Sequence, residues 1–218
     1  MTRRPDRMLA VAHRSGNTVA GLREALDAGI DLVECDVHAY RGVLEVRHLK
    51  TLGPGHLWDK WELVRRADYI RLELAALLDE LGDDDRLMID LKGTRPGVAA
   101  AVARALDEHG RDTAFTVCTK SWSMLDEFGP RVRRVLSASN RVALLRLRRR
   151  LRTAPAYGVS VRLSLLTPPV VAELRARTQL VMTWSVDTPQ ALATARRLGV
   201  DAVVSKDLAM LRALVAGG

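Results

Sequence analysis

Cysteine is scarce in this chain: two occur in 218 residues, Cys35 and Cys118. Each sits in an apolar run, where a small buried side chain is the expected role, and no disulfide framework is expected from them. Aromatic residues make up 4% of the chain, too few for the stacking platforms of a nucleic-acid binder, and no recognition motif of that class occurs. No apolar run is long enough to span a bilayer. The basic start, Met1-Thr2-Arg3-Arg4-Pro5-Asp6-Arg7, lacks the long apolar segment and small-residue cleavage site of a secretory signal, so a cytoplasmic location is the expectation. Low-complexity stretches are also missing, and with 48% hydrophobic residues the composition predicts a folded globular chain.

A chain of 218 residues can bury one large core, and the expectation is one domain over residues 1–218. The formal charge of +8 attracts anions: nucleic acid, acidic lipid head groups or a small phosphate ester. The densest basic cluster, Arg146, Arg148, Arg149, Arg150 and Arg152, alternates with Leu144, Leu145, Leu147 and Leu151. It reads as an amphipathic helix with a solvated outer face. Peripheral contact with an anionic membrane is the second reading of the same pattern.

Short β-branched or apolar runs alternate with helical segments. Strands are expected at 8–12, 31–37, 86–91, 114–118, 132–137, 158–163, 179–184 and 202–205. Helices are expected at 18–28, 72–81, 97–108, 121–128, 141–151, 169–177, 189–198 and 208–215, several of them opened by proline. Eight βα units with short connections favour an α/β fold closed as a (β/α)8 TIM barrel over an open doubly wound sheet. Residues 42–48 read as an extra strand after a tight Arg41-Gly42 turn.

Barrel enzymes place their chemistry at the C-terminal rim of the strands. There the first strand ends in His13-Arg14-Ser15-Gly16-Asn17-Thr18, offering a proton shuttle, an anion-binding fork and a helix cap. The second ends in Glu34-Cys35-Asp36, where the period of two sends both carboxylates to one side and Cys35 to the other. Barrel topology points the pair inward. Crowded carboxylates repel and lose hydration, a cost that one divalent cation, Mg2+ or Ca2+, relieves. The alternative is a structural network with arginines. His48 follows the extra strand and meets the carboxylates if that strand folds back across the barrel mouth. The third strand ends in Asp90-Leu91-Lys92, again with two charged residues on one face, and the seventh in Trp184, which either lines a pocket or closes the core. His38, His56 and His109 read as surface or loop residues, although His38 shares the face of Glu34 and Asp36 and its role stays open.

Taken in order, His13-Arg14, Glu34-Cys35-Asp36, His48, Asp90-Leu91-Lys92, Trp184-Ser185-Val186-Asp187 and residues 199–205 resemble the glycerophosphodiester phosphodiesterase family from about Leu9 to Leu208. The resemblance implies a barrel, a divalent cation on Glu34, Asp36 and Asp90, and hydrolysis of a small phosphodiester such as glycerophosphocholine. His13 and His48 would act as general acid and base, with the assignment between them open, and Arg14, Lys92 and Trp184 would hold substrate. The departures from the family pattern are Ser15 and a trimmed loop after His-Arg, Leu49 where an Asp usually follows the second His, Asp90 for Glu, and a contracted insertion after the second strand. Related sphingomyelinase D-like phospholipases carry Asp at the ligand position and are the nearest catalytic alternative. A barrel that binds phosphate esters without turning them over is the other.

Overall fold

The computed structural model describes residues 5–94, 96–108 and 115–217. In chain order the strands are β1 (Leu9–Ala12), β2 (Leu32–Tyr40), β3 (Val43–Val46), β4 (Lys50–Leu52), β5 (His56–Asp59), β6 (Glu62–Arg65), β7 (Leu72–Glu73), β8 (Leu87–Leu91), β9 (Thr116–Thr119), β10 (Arg133–Ala138), β11 (Ala156–Arg162), β12 (Thr178–Trp184) and β13 (Ala202–Ser205). The helices are α1 (Val19–Asp27), α2 (Leu74–Leu81), α3 (Pro96–Glu108), α4 (Arg141–Arg150), α5 (Pro168–Arg175), α6 (Pro189–Leu198) and α7 (Leu208–Ala216).

Among the described residues, β1, β2 and β8 to β13 form a closed ring of eight parallel strands, sealed where Val11 and Ala12 of β1 face Leu32 and Val33 of β2. This is the (β/α)8 barrel expected from the alternation. The expected helix at 121–128 is instead a 3-10 stretch, Trp122–Glu127. The fourth expected strand begins at Ala114, outside the described residues, as does His109. Among the described residues, no helix is long and apolar enough to cross a membrane.

Period-two alternation splits each strand's side chains between two apolar layers. Ala10, Ala12, Val33, Cys35, Val37, Ile89 and Leu91 face outward, where they pack against Leu22, Leu77 and Leu78 of the helices. Val11, Leu32, Met88, Val135, Leu180, Met182, Ala202 and Val204 fill the barrel. Both cysteines are buried and free, Cys35 in the outer layer and Cys118 in the inner one. Helix starts are capped: Thr18, Asn140, Thr188 and Asp207 accept from the N–H three residues on at 3.0, 2.8, 3.2 and 2.9 Å. In α4, Leu144 and Leu147 are buried while Arg148 pairs with Glu173 and Arg150 with Asp126, so its arginines form a solvated outer face.

The second strand's return differs from a plain loop. β3 runs antiparallel to β2 and is itself paired by β7, and between them β4, β5 and β6 make a separate three-stranded antiparallel sheet. Only β3 is anticipated by the hydrophobic pattern. The other four are short, and Leu57 of β5 is their one fully buried residue, in a segment rich in charge.

Two carboxylates at the ends of the barrel strands take up backbone donors. Asp31 accepts the Ala10 N–H at 2.8 Å and is gripped by Arg7 at 2.9 and 2.7 Å. Asp201 accepts the Val181 N–H at 2.8 Å and the Arg175 guanidinium at 3.0 Å. Asp201→Ala leaves the Val181 N–H without its acceptor; the expected loss is about 1–3 kcal/mol of unfolding free energy. A lowered urea midpoint at unchanged slope would be its signature.

Candidate active site

Followed along each strand, the inward positions change character towards the C-terminal end. Val11 gives way to His13, Leu32 to Glu34 and Asp36, Met88 to Asp90 and Lys92, Cys118 to Lys120, Val135 to Ser137 and Met182 to Trp184. These polar ends surround a cavity of about 150 Å3 whose lining includes His13, Arg14, Glu34, His48, Asp90 and Lys92. A larger hollow, about 570 Å3, lies near the N-terminal ends of β10, β11 and β12, lined by residues such as Arg131, Arg134 and Tyr157. It has no histidine and only one acid, Asp126, in its lining. The smaller cavity carries the acids and bases that chemistry requires, and it lies where barrel sites form.

Asp36 is the hub. Fully buried, it accepts the Asn17 side-chain amide at 2.9 Å, and its own N–H donates to Asn17 Oδ1 at 2.7 Å. Its Oδ2 lies 3.0 Å from His48 Nδ1 and 3.6 Å from Arg14 Nε, and its Oδ1 lies 2.5 Å from Lys92 Nζ. Burial alone would raise the Asp36 carboxyl, but contacts with His48, Lys92 and Asn17 outweigh it and hold the group below the usual range. Lys92 also pairs with Asp90. Burial opposes the Lys92 charge, yet Asp90, Asp36 and Glu34 together hold its ammonium above the ordinary range.

Glu34 is the carboxyl left over. It accepts the Arg14 N–H at 2.6 Å, and its Oε2 is 4.0 Å from His13 Nε2. Burial first, then the charges of Asp36 and Asp90, push it well above the ordinary range. Asp90 is raised as well, by burial, although Lys92 opposes the shift. One oxygen from each of the three carboxylates lies within 4.8 Å of the others. The set therefore fits a hard divalent cation: three oxygen donors converge, and Lys92 and Arg14 do not match the charge of all three.

The two histidines sit in different surroundings. Burial and the Arg14 guanidinium hold His13 down to about 4, and its Nδ1 is buried with no hydrogen-bond partner. His48 presents Nδ1 to Asp36, while its Nε2 meets both Arg14 Nη2 at 2.6 Å and Asp59 Oδ2 at 3.0 Å. A guanidinium donor and a carboxylate acceptor thus flank the same nitrogen. Asp59 belongs to β5, so the inserted sheet brings a carboxylate to the histidine that Leu49 follows.

Backbone geometry in the first loop makes these contacts possible. Arg14 has φ 61°, a left-handed conformation unusual for a side-chain-bearing residue, which turns its N–H onto Glu34. Gly16 passes so close to β2 that a Cβ there would stand 2.9 Å from Cys35 Cβ and 3.1 Å from the Glu34 carbonyl oxygen. Only glycine allows that approach.

The structure brings His13, Arg14, Glu34, Asp36, His48, Asp90, Lys92 and Trp184 together. Asn17, Asp59, Lys120, Ser137 and Ser160 join them without having been assigned site roles from sequence. The Lys120 ammonium sits over the Trp184 ring at 5.3 Å, and Lys120, Ser137 and Ser160 all line the cavity. Their signal was available in principle, since Lys120 and Ser137 lie two residues beyond inward-facing Cys118 and Val135. Asp59 has no comparable signature. His38, on β2, is half-buried and held down to about 3 by burial and Arg47, whereas His56 is exposed as expected.

No protein-family model matches the sequence, and no curated protein does. Solved structures do match in fold. A glycerophosphodiester phosphodiesterase from Thermotoga maritima aligns at TM-score 0.77 with 17% identity, over 96% of this chain and 99% of its own. A phosphodiesterase from Oleispira antarctica, solved in complex with the product sn-glycerol-3-phosphate, aligns at 0.75 with 17% identity, over 98% and 97%. A glycerophosphodiester phosphodiesterase from Parabacteroides distasonis aligns at 0.75 with 16% identity, over 99% of both chains. At these identities the likeness is one of fold.

The unmatched carboxyl has a measurable consequence. Without a cation, folded Glu34 holds its proton more tightly than the unfolded chain does, so stability is expected to fall as pH rises past the ordinary glutamate range. A divalent cation at neutral pH should reverse that loss, by about 2.7 kcal/mol at a hundredfold excess over its dissociation constant. Thermal melts with chelator and with added Mg2+ or Ca2+ test it. Glu34→Gln should remove the pH trend and much of the cation response.

Proposed function

We propose that this chain hydrolyses a small phosphodiester, in particular a glycerophosphodiester, with the help of one divalent cation. The observation that carries this reading is the convergence around one cavity of two histidines, three carboxylates, a guanidinium and an ammonium. A phosphodiester resists attack because its anionic oxygens repel nucleophiles, so a catalyst needs positive charge, positioning and proton management. The likeness in fold to proteins that act on glycerophosphodiesters supports the substrate class.

In this reading Glu34, Asp36 and Asp90 hold the cation. When bound, it supplies Lewis-acid charge at a phosphoryl oxygen. Arg14 and Lys92 bind the remaining phosphoryl charge, the guanidinium as a fork and the ammonium as a point charge. Trp184 and Lys120 bound the side of the cavity where the glycerol or head group rests. His13 is neutral at pH 7 and serves as the base that takes a proton from the attacking hydroxyl, whether of water or of the substrate's own glycerol. His48 serves as the acid that protonates the leaving alkoxide. Asp36 orients its ring through Nδ1, and Asp59 is placed to accept from Nε2 when the ring is charged.

His13→Ala and His48→Ala are each expected to lower turnover of glycerophosphocholine by about 10²–10⁴-fold with the melting midpoint nearly unchanged. Near-parental activity in either variant would remove that residue from the mechanism. Metal-stripped protein should be inactive until Mg2+, Mn2+ or Ca2+ is restored, and activity indifferent to chelation would overturn the cation assignment. Asp59→Asn should depress kcat more than KM, since the asparagine keeps the volume but loses the charge facing His48.

A further inference from the structure

Among the described residues, the large hydrophobic side chains left exposed are concentrated on the insertion between β3 and β7. Leu52, Trp58, Trp61, Leu63 and Ile70 are 50%, 37%, 98%, 64% and 92% exposed; Val142 and Leu145, on α4, complete the set. Four of those five lie on the three-stranded sheet or its turn, and register explains why. Lys50 faces Trp58, which faces Leu63, while Leu52 faces His56, which faces Arg65. Residues directly opposite in an antiparallel pair share a face, so Lys50, Leu52, His56, Trp58, Leu63 and Arg65 form one side of the sheet. All six are exposed.

The other side carries Thr51, Leu57, Asp59, Glu62 and Val64. Leu57 is 1% exposed, and Thr51 accepts from buried Arg47 at 2.9 Å. The inner face meets the segment carrying Arg47 and His48 through Thr51 and Asp59 and buries Leu57, although Thr51 and Glu62 stay exposed; the outer face presents an apolar centre of Leu52, Trp58 and Leu63. Lys50, Arg65 and His56 rim that centre, and neither carboxylate of the three strands is on it. The Lys50 ammonium lies over the Trp58 ring at 5.1 Å. Arg65 has Asp68 as a loose 4.0 Å partner, with both side chains largely exposed. At the tip of the β5–β6 turn stand Lys60 and the almost fully exposed Trp61.

The structure assigns this face to the surface of an anionic phospholipid bilayer, with Trp58, Trp61, Leu52 and Leu63 entering the head-group region and Lys50, Lys60 and Arg65 meeting lipid phosphates. Exposed tryptophan beside lysine and arginine matches an interface that is apolar below and negatively charged above. A protein partner would need acids complementary to the same cations and a dry fit to Trp61, which projects from a turn. Position adds a consequence. Asp59, the residue after Trp58, lies 3.0 Å from His48, so a docked sheet holds the cavity within one strand of the lipid surface. The inference goes beyond the proposed hydrolysis and is tested without it.

Flotation of the full chain with vesicles of phosphatidylcholine and phosphatidylglycerol, and with pure phosphatidylcholine, reads the interaction directly. Binding is expected to the anionic vesicles, to weaken with salt, and to be accompanied by quenching of tryptophan fluorescence by brominated lipid. Lys50→Gln with Arg65→Gln should weaken it by more than about tenfold, at about fivefold for each cation near an anionic surface. Trp61→Ser with Leu63→Ser should weaken it by about tenfold or more through lost apolar burial. All four side chains are exposed, so the variants should keep the parental melting midpoint. Leu145→Ser with Arg146→Glu on α4 should leave binding unchanged. Failure to float with anionic vesicles, binding that survives both sheet variants, or binding abolished by the α4 variant would overturn the assignment. So would a parental dimer that Trp61→Ser with Leu63→Ser converts to monomer, since the face would then belong to a second copy.

Discussion

A carboxylate with no solvent exposure sits at the mouth of the barrel, and the remaining polar structure is arranged around it. Asp36 is touched by Asn17 and Arg14 from the first loop, by His48 from the returning segment and by Lys92 from the neighbouring strand. A charge at that depth persists only when it is matched, because water is not there to solvate it. Each partner is thereby fixed in place by the same demand. The loop that carries Arg14 and Asn17 must pass close to β2, which requires Gly16; the segment that carries His48 must fold back, which β3 accomplishes by pairing with β2.

Glu34 lies almost as deep and Asp90 nearer the solvent, without sharing all of the compensation. Lys92 is divided between Asp36 and Asp90, and Arg14 leans towards Asp36, so Glu34 is pushed above the ordinary carboxylate range. An excess of oxygen donors over fixed positive charge is costly as structure and useful as a cation site. The same imbalance is what motivates the proposed phosphodiesterase reading over a purely structural network.

The inserted sheet joins the site to the surface. Its inner face contributes Asp59 to His48, and its outer face leaves apolar side chains in water that no neighbouring element covers among the described residues. By contrast α4, the basic amphipathic segment, buries Leu144 and Leu147 and pairs Arg148 and Arg150 with acids of neighbouring segments.

The eight barrel strands were legible because alternation with period two is a property of the local backbone, and a run such as Leu32-Val33-Glu34-Cys35-Asp36 shows its inward set without reference to any other segment. The same rule places Asp90 and Lys92 on one face, and Lys120 and Ser137 follow it two residues past Cys118 and Val135. What the chain alone did not disclose is which distant groups meet. Asp59 is one charged residue among many in a segment whose short strands bury little, and its distance from His48 is a product of the insertion's register and of where the sheet lands on the barrel. Closure of the ring decided the rest, because it brings the first loop, the returning strand and β8 to one mouth. There desolvation turns separate acids and bases into a coupled set.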